Sequence, residues 1–77
     1  MKTVGEGVSR DPVGATKAFN KACDLKDTLG CASLGRALLH GEGIKRDRDR
    51  GIVLLRTALT KGIPWAADEL KRAGVKP

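Results

Sequence analysis

The chain repeats itself with a period of 36 residues. The segment GEGVSRD at 5–11 recurs as GEGIKRD at 41–47, and the same offset, carried on without gaps, pairs Ala22 with Ala58 and Leu34 with Leu70. Seven residues are identical over the pairs from 5/41 to 34/70. A period between about 20 and 50 residues is typical of solenoids, in which each unit buries an apolar face against the next. The repeat therefore predicts a stack of similar units.

The spacing of apolar residues predicts that these units are helical. Small and apolar side chains follow the pattern i, i+3, i+4, i+7, which puts them on one face of an α-helix. They are Ala15, Ala18, Phe19 and Ala22, then Cys31, Leu34, Gly35 and Leu38, then Gly51, Leu54, Leu55 and Ala58. Predicted N-caps are Asp11, Asp27 and Asp47, and predicted turns lie at Gly41, Gly43 and Gly62. We predict an all-α fold, an α/α superhelix (solenoid) of about four antiparallel helices, roughly at 12–26, 28–40, 48–61 and 64–73.

Length and charge limit the other possibilities. A chain of 77 residues is enough for a single domain, which we place at 1–77, and its thin core must be aliphatic because Phe19 and Trp65 are its only aromatic residues. The net charge of +6 is compatible with nucleic acid, an anionic membrane or an acidic protein as partner. The sequence contains no apolar run of about 18 residues, so no membrane span is predicted.

The combination of these motifs resembles a known family. The segments KACDLKDTLGCASLG at 21–35 and HGEGIKRD at 40–47 are similar to Sel1-like repeats, which are relatives of the tetratricopeptide repeat. The chain would hold roughly two such repeats, starting mid-repeat. The placement of Cys23 and Cys31 is similar to that in the subgroup typified by Helicobacter cysteine-rich proteins. That resemblance implies a disulfide across adjacent helices and a role in protein binding.

The residues themselves leave three readings of the two cysteines. Zinc sites usually have closer spacing and a second ligand pair, and only His40 is available as a further ligand of that kind. Two unlinked buried thiols remain an alternative. A bridge between Cys23 and Cys31 is favoured, because a tight turn between antiparallel helices can bring the two Cα atoms close enough. A disulfide would indicate a periplasmic or secreted protein, whereas free thiols would indicate the cytoplasm.

Catalytic motifs are weak in this sequence. Some cysteine-rich members of the family are described as penicillin-binding or β-lactamase-like, but the Ser–x–x–Lys motif of that chemistry is matched neither at Ser9 nor at Ser33. We therefore predict no enzymatic activity, no cofactor and no metal. The segment KRDRDR at 45–50 alternates in sign, which is typical of a solvated helix start and argues against nucleic-acid binding.

The prediction for function is a non-catalytic adaptor that binds a protein or peptide, in particular an acidic or polar segment, on the concave face formed by 28–40 and 64–73. The predicted contact residues are Ser33, Arg36, His40, Trp65, Glu69 and Arg72. Trp65 is predicted to pack onto the preceding helix and close the end of the stack, and the alternative is a role as an interface anchor. Two alternatives stay open: β-lactam binding or hydrolysis, and a structural fragment or unit that forms homo-oligomers through an exposed repeat end.

Overall fold

Within residues 11–76, four helices follow one another, and each packs against the next. The computed structural model describes residues 11–76. Helix α1 spans Pro12–Asp24, α2 spans Thr28–His40, α3 spans Arg48–Thr60 and α4 spans Trp65–Arg72. These residues contain no strand. The predicted all-α helical repeat is therefore confirmed, while the first loop copy at 5–10 lies outside the described residues.

Aspartate side chains begin the first three helices. The carboxylate Oδ1 atoms accept hydrogen bonds from backbone N–H groups: Asp11 from Gly14 at 3.0 Å, Asp27 from Leu29 at 3.1 Å and Asp47 from Arg50 at 3.3 Å. Each bond satisfies one of the donors that a helix leaves unpaired in its first turn. Helix α4 begins at Trp65, one residue later than predicted, because Pro64 occupies the N-cap position without a capping side chain.

The ends of α1 and α3 share one turn geometry, 36 residues apart. After α1, the N–H of Lys26 donates to the carbonyl of Cys23 and the N–H of Asp27 donates to that of Ala22. After α3, Gly62 and Ile63 make the equivalent bonds. This is the Schellman arrangement, in which the residue before the last, here Lys26 or Gly62, is left-handed. The turn ends α1 at Asp24 and α3 at Thr60, which is earlier than the apolar pattern predicted.

The core lies where α2 crosses α3. A Cβ atom added to Gly51 would lie 2.7 Å from the carbonyl oxygen of Gly35, so the two backbones are in close approach at this point. Around the crossing, Ala32, Leu39, Leu55, Ala58, Ala66 and Leu70 form the buried apolar cluster. Trp65 and Val75 pack against its edge. The small aliphatic core expected from the composition is thus built by helices that approach closely.

Among the residues that the structure describes, no helix is long and apolar enough to span a bilayer.

Candidate interaction face and groove

Side chains from α2 and α4 meet on one side of the stack, which we call the α2–α4 face (Arg36, His40, Trp65, Glu69 and Arg72). The guanidinium carbon of Arg36 lies 5.8 Å from the ring centroid of Trp65, within the range of a cation–π contact. Trp65 is half-buried and Arg36 is exposed. The stacking limits the directions that the Arg36 side chain can take, while its donors stay at the surface.

Glu69 organises the other half of this face. Its carboxylate accepts a hydrogen bond from His40 Nε2 at 3.0 Å, and its second oxygen lies 3.7 Å from Arg72 Nη1. The sequence places Glu69 at a polar surface position, but the residue is only 7% exposed. Most of Glu69 is therefore enclosed, and a direct partner contact at this residue stays a prediction. It holds His40 and Arg72 in place, and the Arg72 side chain is 74% exposed.

Two further arginines, which the sequence did not single out, border this cluster. Arg46 Nε donates to the carbonyl of Leu39 at 3.0 Å, and Arg48 Nη2 donates to that of Ala73 at 2.7 Å. Both carbonyls lie at helix C-termini, where the partial charge is negative and the last carbonyl groups lack helical partners. A cleft of about 260 Å³ remains between these side chains. The arginines thus act as caps for α2 and α4.

A larger opening lies between α1 and α2, and we call it the α1–α2 groove. Its volume is about 540 Å³. The residues that line it include Ala15, Thr16, Phe19, Ser33, Arg36 and Glu42. Thr16 is buried, and its hydroxyl donates to the carbonyl of Glu42 at 2.7 Å, which fixes the loop at the rim. Of the predicted contact residues, Ser33 and Arg36 lie in this groove, and Ser33 is separate from the Glu69 cluster.

The groove was not predicted from the sequence, although the 36-residue offset contains the signal. Ala15 and Phe19 are the counterparts of Gly51 and Leu55. Gly51 and Leu55 are buried against α2, whereas Ala15 is exposed and Phe19 is half-buried. A comparison of equivalent positions between the two copies would have shown that the first copy has an apolar face with no counterpart of α2 in residues 11–76.

The cysteines lie away from both surfaces. A disulfide joins Cys23 in the last turn of α1 to Cys31 in the first turn of α2, with the Cα atoms 4.4 Å apart. Both sulfur atoms are used in this bond, so neither is available as a thiolate ligand or nucleophile. Within 11–76, no group of three or more His, Cys, Asp or Glu side chains could hold a metal ion.

Comparison with known proteins gives a partial similarity. Over 37 residues the chain is 43% identical to a Helicobacter pylori protein named "Putative beta-lactamase HcpC". The matched residues are 48% of this chain and 13% of that relative, so the chain spans a small part of the relative's length. No family model matches the chain, and no solved structure matches it. The matched relative comes from Helicobacter, the genus whose cysteine-rich proteins the cysteine placement of this chain resembles.

Proposed function

We propose that the chain is a Sel1-like interaction module that binds a protein or peptide and carries out no catalysis. The partial similarity to a Helicobacter protein and the all-α repeat architecture support the family assignment. Repeat proteins of this kind present extended surfaces made of equivalent helices. In this chain α2 and α4 are equivalent at the 36-residue offset, and the α2–α4 face is the surface that they share.

The observation that carries this proposal is the arrangement of Arg36 and Arg72. One guanidinium is stacked on Trp65 and the other is held beside Glu69, so two exposed cations are oriented by neighbours on the same face. Arginines oriented in this way lose less side-chain entropy when they bind a carboxylate. The partner that fits is an acidic or polar segment of a protein. Trp65 supplies the apolar contact surface next to Arg36.

A peptide-display selection tests this assignment. Sequences selected by the wild-type chain are expected to be enriched in Asp and Glu, and the variant R36E/R72E should lose their binding. The control K17E/R56E makes the same change in net charge at exposed residues of α1 and α3 and should retain it. Equal binding by the wild type and R36E/R72E would contradict the proposed face.

The name of the matched relative raises β-lactam chemistry as the second candidate function. Ser33 is half-buried in the α1–α2 groove, but the residue three positions later is Arg36 instead of the lysine of a Ser–x–x–Lys motif. Our proposal therefore predicts no turnover of nitrocefin at high protein concentration. Nitrocefin turnover by the wild type that is lost in S33A would contradict the adaptor proposal and indicate a hydrolase.

The disulfide also bears on the compartment in which the protein is found. A bond between Cys23 and Cys31 persists in oxidising compartments, so we propose a periplasmic or secreted protein. Intact mass of protein from its native source, with and without reductant, tests this location. A fully reduced pair would instead indicate the cytoplasm.

A further inference from the structure

The α1–α2 groove has an occupied counterpart in the second copy. The offset of 36 residues maps Ala15, Phe19 and Ser33 onto Gly51, Leu55 and Glu69. In the second copy, the C-terminal half of α2 lies over these positions. A Cβ atom added to Gly51 would lie 3.1 Å from the backbone nitrogen and 3.2 Å from Cγ of Leu39, and His40 donates a hydrogen bond to Glu69. A helix end therefore fills the equivalent site.

Burial differs between the two copies in the way that this occupancy predicts. Leu55 is 0% exposed, whereas its counterpart Phe19 is half-buried. Ala15 and Ala18 are both exposed in the first copy. The open volume is also larger in the first copy: it is about 540 Å³ in the α1–α2 groove and about 260 Å³ in the cleft beside His40. The apolar floor of the groove has the composition of a helix-packing surface.

We propose that the α1–α2 groove binds the C-terminal half of an amphipathic helix supplied by a partner protein. The helix has a small residue at the crossing point and a leucine four residues later, as Gly35 and Leu39 of α2 have. This inference rests partly on the proposed function, since Ser33 and Arg36 belong to the predicted contact set. It adds α1 to the surface and defines the partner as a helix.

The rim of the groove gives the polar part of the recognition. In the second copy, His40 at the end of α2 meets the carboxylate of Glu69. The counterpart of Glu69 in the groove is Ser33, and Arg36 lies beside it. A hydroxyl and a guanidinium favour an acceptor at the end of the bound helix. The last turn of the partner helix is therefore expected to carry Asp, Glu, Asn or Gln.

A second copy of this chain fits the groove poorly. Gly35 of α2 meets α3, and Ala32 lies in the same buried cluster as Leu55. The counterparts of Ala32 and Gly35 on α4 are Asp68 and Lys71. Both residues are exposed. Their charges would have to be desolvated at a close helix crossing, which is unfavourable without partners. The helix α4 therefore presents a polar outer face, while α1 presents an apolar one.

The test uses the full chain and a peptide with the sequence of residues 28–46, with Cys31 replaced by Ala, His40 replaced by Glu and blocked ends. Backbone amide shifts are followed by NMR as peptide is added up to about 1 mM, a range in which weak binding is detectable. Shifts of Ala15, Ala18, Phe19 and Ser33 are expected. The chain variant A15K should bind about tenfold more weakly or not at all, because lysine would occupy the helix crossing.

The controls separate this site from the α2–α4 face. N20K adds the same charge at an exposed position of α1 outside the lining of the groove and should bind as the wild type does. A peptide with Gly35 replaced by Lys should not bind. The variant R72E, which lies outside the groove, should keep peptide binding even if the selected acidic sequences are lost. Failure of the wild type to bind acidic sequences, with helical-peptide binding retained, would thus contradict only the proposed function.

Four outcomes would overturn the inference. These are no shifts at the highest peptide concentration, equal binding by A15K, shifts in the same residues on dilution of the chain alone, and the same shifts on removal of residues 1–10. The third would show that a second copy fills the groove, and the fourth that the N-terminal segment does.

Discussion

At the scale of single residues, Lys26 has an unfavourable backbone conformation. Its φ is +68°, and it is the only residue other than glycine with a positive φ in 11–76. The equivalent position of the second copy is Gly62, with φ +99°. Left-handed backbone costs an ordinary residue roughly 1–2 kcal/mol, and part of this is offset by the greater freedom of glycine in the unfolded chain. We expect Lys26→Gly to raise the free energy of unfolding by about 0.5–1 kcal/mol, measured by urea denaturation of the oxidised protein.

Gly62 provides the matched control for that substitution. A Cβ atom at Gly62 would meet nothing within 4 Å, so Gly62→Ala changes only the conformational preference. The variant should lose about 1 kcal/mol, in the opposite direction to Lys26→Gly. If both variants unfolded at the wild-type urea concentration, the left-handed backbone at these two positions would not favour glycine over another residue.

The residue scale also shows what the sequence could not reveal. The capping aspartates were predictable, because a short acceptor side chain before an apolar helical pattern has a local physical meaning. The burial of Glu69 was not, since it depends on His40, which lies 29 residues away. The same applies to Arg46 and Arg48, which bond carbonyls at the ends of other elements. Local sequence signals were enough to predict the helices, whereas contacts between residues far apart in the sequence could be identified only in the structure.

At the scale of helices, the α2–α3 crossing depends on a pair of glycines. A Cβ atom on Gly51 would lie 2.7 Å from the Gly35 oxygen, which belongs to the backbone and cannot move without moving α2. We expect Gly51→Ala to lower the free energy of unfolding by about 1–3 kcal/mol, even though alanine has the better helix propensity. Val53→Ala is the control on the same helix, because Val53 is 62% exposed and the change should be neutral or slightly stabilising. A stabilised Gly51→Ala variant would contradict the close crossing.

The disulfide acts at the same scale, since it joins α1 to α2. For a closed loop of about nine residues, the chain-entropy model gives about 2.6 kcal/mol of stabilisation. The variant C23A/C31A should lose an amount of this order in urea denaturation. The variant C23L/C31A introduces the residues found at the equivalent Leu59 and Ala67 and should lose less, because leucine restores apolar packing. Equal stability of C23A/C31A and the wild type would show that the bridge is dispensable.

At the scale of the whole molecule, the two ends of the stack have different chemistry. The outer side of α1 is built from Ala15, Ala18 and Phe19, and that of α4 carries Asp68 and Lys71. A polar outer face limits the stacking of further units on a helical repeat, and α4 has such a face. The repeat made the stacked fold predictable. The difference between its ends became visible only when the burial of equivalent positions was compared.

This difference predicts how the chain could be made to polymerise. The variant D68A/K71G gives α4 the residues that α2 has at Ala32 and Gly35. The α4 helix of one molecule should then pack on α1 of the next, and because this contact is head-to-tail, it produces open chains of copies instead of closed dimers. We expect the mass in sedimentation equilibrium to rise with concentration for D68A/K71G but not for the wild type. Adding Ala15→Lys should restore the monomer, and circular dichroism should show equal helix content in all three proteins. A D68A/K71G variant that stays monomeric while folded would mean that the charges of α4 are not what prevents the stack from continuing.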